Sequence, residues 1–239
     1  MLRNRRIGLS QSGIVQAFAK FGRRAVLRDF CDAGYNEVDR WDDVYSEWLC
    51  VQNSIKKTSV KPSGTVSLLA GATPGIHHPE ASTYWRRVRV SNDSILVKIL
   101  ADAGYEYEPA MSDPDRTVVF KFAITDESVR PVEDVSIWEQ IANVVDYQRY
   151  WADNQVSCTI KFKEDEASDI SRVLTTYEDQ LKGISFLPHS NHGYVQPPYE
   201  PCTIEEVIEY NSKIKPVDFT SYIEEAAGSK FCDSDKCEI

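Results

Sequence analysis

The stretch Lys61-Pro-Ser-Gly-Thr-Val-Ser67-Leu-Leu-Ala-Gly71-Ala-Thr-Pro-Gly75-Ile-His-His-Pro79 sets three hydroxyl side chains and a glycine around a proline-opened turn, just before an apolar run. Such a turn leads into a helix whose first backbone N–H groups lack an intrahelical partner, at the end that the macrodipole makes partly positive. A phosphate fits there without a lysine in the turn itself. Ser63, Thr65 and Ser67 can add donors, and Gly64 lets the backbone approach a ligand closely. The stretch is not a Walker loop, because no G-x-x-x-x-G-K-S/T pattern occurs. An ordinary helix start with a serine N-cap uses the same residues. Local chemistry alone leaves both readings standing.

On either side of this stretch, apolar spacing alternates between helix and strand periods. Residues 8–28 carry helix-compatible spacing (Ile14, Val15, Phe18, Phe21) that should end near a turn at Gly34. Trp41, Val44, Tyr45, Trp48, Leu49 and Ile55 predict a helix over 39–56, followed by a short extended piece over 58–61. Beyond Pro79, Trp85–Val90 alternates as a strand. A helix capped by Asp93 or Ser94 and closed by Gly104 comes next.

The second half repeats the alternation. Strands are expected over 117–124, 156–162 and 183–187, helices over 134–152 and 166–181, and a small helix opening at Thr203 with Glu205 and Glu206 in its first turn. Alternation with connections of helix length implies an α/β fold with a largely parallel sheet. From residue 211 onward the pattern weakens, and Ala226-Ala-Gly-Ser-Lys230 reads as a flexible lead to the terminus.

The 239 residues suffice for a buried core, and 42% hydrophobic content with 12 tyrosines describes a globular chain. A net charge of −10 argues against general attraction to nucleic acid or to anionic membranes, so an anionic ligand must be held by local donors. No apolar run reaches membrane-spanning length, and Met1-Leu-Arg-Asn-Arg-Arg6 is not followed by a signal-peptide core. A soluble cytoplasmic protein is expected.

Six cysteines are too few and too scattered for a secreted disulfide scaffold. Cys31, Cys50, Cys158 and Cys202 stand alone, and Cys158 sits in an apolar alternation that predicts a buried small hydrophobe. Cys232 and Cys237 form a close pair near the end of the chain. Closing so short a loop costs little, so a reversible disulfide is easy, and a reducing compartment favours a catalytic or sensing pair over a structural one. An inert tail with two incidental thiols is the other reading.

His189 and His192, together with the terminal cysteines, could in principle assemble a zinc site, but their spacing matches no strong zinc signature. His77 and His78 lie close to the hydroxyl turn, to bond either a ligand or their own backbone. Arg86, Arg87 and Arg89 form the densest basic cluster, which reads better as a salt-bridged surface than as a phosphate site.

Taken together, these residues resemble the carboxy-terminal third of an adenosylcobalamin-dependent (class II) ribonucleotide reductase of the monomeric ribonucleoside-triphosphate type. The resemblance runs through Asn4-Arg-Arg-Ile-Gly-Leu-Ser-Gln-Ser-Gly13, Lys61–Ser67, Gly71–His77, Asn154-Gln-Val-Ser157, His192-Gly-Tyr-Val-Gln-Pro-Pro-Tyr-Glu200 and the terminal Cys-x4-Cys. It implies the carboxy-terminal half of a ten-stranded α/β barrel over 1–210, on the substrate-phosphate side. Residues 211–239 would then be a mobile tail with the redox pair. By the same resemblance Ser63, Gly64, Thr65, Val66 and Ser67 bind substrate phosphates. Cys232 and Cys237 relay electrons from thioredoxin or a similar dithiol donor to the active-site disulfide.

The resemblance also implies a ribonucleoside triphosphate as substrate and adenosylcobalamin as cofactor, bound with an upstream part. The family's radical cysteine lies in an Asn-x-Cys-x-Glu motif that does not occur in this sequence. An upstream amino-terminal reductase chain is therefore the expected partner, and the open edges of half a barrel should invite association. A non-catalytic nucleotide-binding or interaction module derived from the same fold is the alternative.

Overall fold

The computed structural model describes residues 5–64, 66–189, 195–217 and 219. The chain begins with β1 (Arg6–Ser10) and α1 (Ile14–Phe21), then α2 (Arg23–Ala25), a π-helical segment (Val26–Asp32) and α3 (Ala33–Trp48). Next come β2 (Lys56–Ser59), a 3-10 helix (Val66–Ala70), β3 (Thr83–Ser91), α4 (Ile95–Asp102), β4 (Tyr107–Pro109) and β5 (Thr117–Thr125). The remainder comprises α5 (Ile137–Tyr150), β6 (Thr159–Phe162), α6 (Asp169–Tyr177), β7 (Ser185–Pro188), β8 (Tyr199–Pro201) and α7 (Ile204–Lys213). The fold is mixed α/β.

Two compact units divide the chain. The first comprises Met1–Thr83 with Thr125–Tyr194, and the second Tyr84–Ile124 with Val195–Ile239. In the first unit β1 pairs parallel with β2, and β6 parallel with β7. A parallel bridge between Val60 and Val156 ties the end of β2 to the stretch entering β6. Helix α5 turns Ile137, Ile141, Val144 and Tyr147 into the core, where they meet Val26, Cys31, Val60 and Ile160. Removing each such aliphatic side chain from water is worth roughly 1.5–3 kcal/mol. The indole of Trp151 donates to the carbonyl of Ser59 at 3.0 Å, which fixes β2 against the end of α5.

The second unit is built differently. Its sheet runs β4-β5-β3-β8, with β4 antiparallel to β5 and β8 antiparallel to β3. The largely parallel arrangement expected from sequence thus holds for the pairs of the first unit and is corrected here. The cause lies in β4 and β8, three-residue strands ending in Pro109 and Pro201, too short to carry a period. Ser94 caps α4 by accepting from the Leu96 N–H, and Gly104 closes the turn beyond it at φ 93°. Thr203 and Glu206 form a reciprocal capping box at the start of α7, as their spacing predicts. Trp85 stacks edge-on against Tyr210 at 5.0 Å and carries the Lys121 ammonium 4.0 Å above its ring.

The amino-terminal segment departs most from the sequence expectation. Residues 6–10 form a strand, not the start of a helix, and the first helix stops at Gly22 (φ 83°). Helical backbone resumes at Arg23 and continues through Gly34 to Trp48, so no turn forms at Gly34 and the helix expected over 39–56 starts and ends earlier. Gly34 keeps an ordinary helical backbone and faces the Trp151 ring, which a Cβ would approach to 3.7 Å. Among the described residues no helix is long and apolar enough to cross a membrane.

Candidate functional site

Parallel strands β1 and β2 end side by side, and in α/β sheets ligands bind beyond the carboxyl ends of such strands. Ser10, Gln11 and Ser12 leave β1, while Val60 and Lys61 leave β2 into the hydroxyl turn. The Lys61 N–H donates to Ser10 Oγ at 2.8 Å. Ser12 Oγ and Ser63 Oγ lie 2.6 Å apart. Ser63 Oγ also accepts the Gly75 N–H at 2.9 Å, which draws the far end of the loop back onto its beginning. Ser63 itself sits at φ 49°, a left-handed conformation that costs a non-glycine residue of order 1–3 kcal/mol and clusters at ligand sites.

The helix expected after the turn is a single five-residue 3-10 segment, Val66–Ala70. Gly71, at φ 60°, ends it, because the chain must return through Thr73 and Gly75 to α1. There the Gly13 N–H donates to Thr73 O at 2.9 Å and the Ile14 N–H to Gly75 O at 3.2 Å, so the loop carbonyls cap α1. So short a helix gathers little dipole, and the polarity of the turn comes from individual N–H and O–H groups.

The five predicted phosphate residues differ in their surroundings. Gly64 meets open space: a Cβ built there would contact nothing within 4 Å, and its backbone needs no positive φ. Among the described residues neither packing nor conformation demands glycine at 64. Val66 is exposed. Ser67 is buried, and both its N–H (3.1 Å) and its hydroxyl (2.6 Å) donate to Ser63 O. Thr65 lies outside the described residues, as do Cys232, Cys237 and His192.

The histidines near the loop order backbone. His77 Nδ1 lies 3.0 Å from Pro74 O, and its Nε2 accepts the Thr159 N–H at 3.1 Å, which joins the loop to the start of β6. Burial lowers the pKa of His77, and also that of His78, whose Nδ1 lies 3.0 Å from Arg130 O. Among the described residues no group of three His, Cys, Asp or Glu side chains could hold a metal ion. The arginine cluster binds its own unit: Arg87 pairs with Glu200 at 2.5 Å, and Arg86 lies 4.4 Å over the Tyr199 ring and donates to Pro198 O. Cys158 is a buried thiol whose pKa burial pushes up to about 12. It stays protonated at neutral pH.

Sequence reading missed Gln11, Ser12 and Tyr147. The Gln11 amide oxygen accepts from the Tyr147 hydroxyl at 3.1 Å and from Cys31 Sγ at 3.7 Å, and so anchors the loop after β1 to α5 and the π-helical segment. Burial and the Tyr147 contact act in opposite directions on the Cys31 thiol, and burial wins, raising its pKa. The signal in the sequence is weak: Ile7 and Leu9 alone hint at the strand that makes Ser-Gln-Ser a strand-end loop.

The chain is similar to known proteins over nearly all of its length. The chain is 43% identical over its full length to the probable adenosylcobalamin-dependent ribonucleoside-triphosphate reductase of Dictyostelium discoideum, covering 32% of that protein. It is 45% identical over 99% of its length to the adenosylcobalamin-dependent ribonucleoside-triphosphate reductase of Euglena gracilis, covering 34% of it. The crystal structure of a B-12 dependent (class II) ribonucleotide reductase superposes on 89% of the chain with a TM-score of 0.79 at 30% identity, and the match covers 34% of that structure. The chain thus spans about a third of the length of the relatives it matches. No family model matches it.

Proposed function

The chain belongs with the adenosylcobalamin-dependent ribonucleoside-triphosphate reductases, which are oxidoreductases, and from that premise we propose that it forms the substrate-phosphate side of such an enzyme and its thiol relay. In this reading residues 1–210 are part of an α/β barrel, the turn Ser63–Ser67 cradles the triphosphate of a ribonucleotide, and 211–239 are the thiol-bearing arm. The observation that carries it is Gly64, a glycine facing open space, beside a strained Ser63 at the carboxyl ends of two parallel strands. A side chain at position 64 would fill the volume that a phosphate occupies.

Reduction at the ribose replaces a hydroxyl by hydrogen and consumes two electrons and two protons, drawn from a pair of thiols that become a disulfide. Cys232 and Cys237 then transfer two electrons and two protons to that disulfide by thiol exchange and close their own bond, which thioredoxin or a similar dithiol reopens. Adenosylcobalamin, when bound, supplies the radical that starts turnover, and no described residue of this chain is assigned to it. An upstream reductase chain carries the radical cysteine in this reading, in keeping with the exposed edge strand β1.

The test is complementation. Mixed with the remaining two thirds of a reductase, the chain should restore cobalamin-dependent deoxynucleotide formation. Cys232→Ser or Cys237→Ser should abolish turnover driven by thioredoxin and spare turnover driven by a small dithiol. Full thioredoxin-driven turnover in both variants would remove the relay role.

A further inference from the structure

We propose that Ser12 belongs to the anion site, where it forms with Ser63 a hydroxyl pair that directs one hydrogen at an oxygen of the bound triphosphate. This rests on the substrate-phosphate reading of the turn. The two Oγ atoms lie 2.6 Å apart, a separation that accommodates one hydrogen between them and not two. Each serine brings one hydroxyl hydrogen. Ser63 Oγ already receives the Gly75 N–H at 2.9 Å. Whichever serine donates across the pair, the other hydrogen is left with no acceptor among the described residues. Ser12 is exposed and Ser63 half-buried, so that hydrogen is open to a ligand.

Ser67 cannot take this part, because its N–H and its hydroxyl hydrogen are both committed to Ser63 O. Ser12 thus occupies the place in the donor set that the sequence gives to Ser67. Its neighbours hold it in position from both sides. Gln11 is fastened through its amide oxygen to Tyr147 and Cys31, and Gly13 through its N–H to Thr73 O. A donor fixed before the ligand arrives loses little freedom on binding, so more of its bond appears as affinity.

The test uses the full chain as wild type, Ser12→Ala and Ser12→Thr, titrated by calorimetry with ATP and with inorganic tripolyphosphate, alone and with the rest of the reductase polypeptide present. A hydrogen bond to a charged oxygen corresponds to roughly tenfold or more in affinity. Ser12→Ala should weaken both ligands by about tenfold, while Ser12→Thr, which keeps the hydroxyl, should stay within about twofold of wild type on the same scale. Equal affinity of wild type and Ser12→Ala for both ligands overturns the assignment of Ser12 and leaves the phosphate reading of the turn intact. A loss in Ser12→Ala confined to ATP also overturns it, since the contact would then be to the nucleoside. Failure of wild type to bind either ligand under both conditions removes the phosphate reading, and this inference with it.

Discussion

His77 accepts the backbone N–H of Thr159 through Nε2 at 3.1 Å while its Nδ1 faces the carbonyl of Pro74 at 3.0 Å, so the neutral ring with hydrogen on Nδ1 satisfies both contacts. Protonation puts a hydrogen on Nε2 and sets it against the Thr159 donor. Burial, the largest cause, holds the His77 pKa below its ordinary value of 6.5. A group with a depressed folded-state pKa contributes stability above its unfolded pKa and loses it as pH falls through the folded value. Unfolding free energy should therefore decline as pH drops below about 6.5, and more steeply in wild type than in His77→Gln. Denaturant titrations at a series of pH values read this. Parallel slopes for the two proteins would mean that His77 is not the group responsible.

Gly75 and Gly64 should answer substitution in opposite ways. Gly75 lies at φ 52°, and a Cβ there would stand 2.5 Å from the Lys61 carbonyl oxygen. Gly75→Ala should cost at least roughly 1–3 kcal/mol of stability, from backbone strain alone. Gly64→Ala, with nothing within 4 Å, should stay within about 0.5 kcal/mol of wild type yet lose triphosphate binding. Thermal unfolding and ligand titration of the two variants separate loop closure from ligand room.

The outer face of α3 presents Trp41, Tyr45 and Trp48, with successive ring centroids 5.4 Å apart, and Trp48 (69%) and the adjoining Leu49 (68%) remain largely exposed. A contiguous apolar patch of this kind is ordinarily covered by another surface. The isolated chain should self-associate in a concentration-dependent way by light scattering. Trp48→Lys combined with Leu49→Ser should shift it toward monomer. A wild-type chain that stays monomeric at every concentration would contradict an uncovered face.

In the second unit the capping box of α7 offers a local probe. Thr203 accepts the Glu206 N–H at 3.3 Å, and the Glu206 carboxylate accepts the Thr203 N–H at 2.8 Å. Thr203→Ala should cost about 1 kcal/mol, seen as faster amide exchange over the first turn of α7. Unchanged exchange there would mean that the carboxylate alone holds the helix start.

Elements with a long period or a cap were legible in the sequence. The nine-residue strands β3 and β5 and helix α5 were found within a few residues, while Ser94 and Gly104 marked the two ends of α4 and Thr203 the start of α7. What escaped was short or set by distant contacts. Strand β1 is exposed on both faces, so Ile7 and Leu9 gave no strong alternation. The turn at Lys61–Ser67 was recognised, but its closure by Gly75 and Ser12 depends on residues 12 and 51 positions away. No local pattern records such pairings. The turn leads into a five-residue 3-10 segment in place of the helix that the apolar run suggests, because the return path to α1 leaves no room for more.

The wide turns over Val26–Asp32 constrain how the chain tolerates deletion. A π segment spreads one extra residue over its rise, so removing one there would leave an unbroken helix from Arg23 to Trp48. The segments on either side of the excision would keep nearly their present orientation, because the wide turns already absorb the extra residue. With α3 kept in place, Arg23 would still face Asp146, which it now meets at 2.7 Å. A polypeptide shortened by one residue there would thus keep the alignment of its amino-terminal arm, whereas the same deletion inside α3 would turn the flanking segments by about 100°.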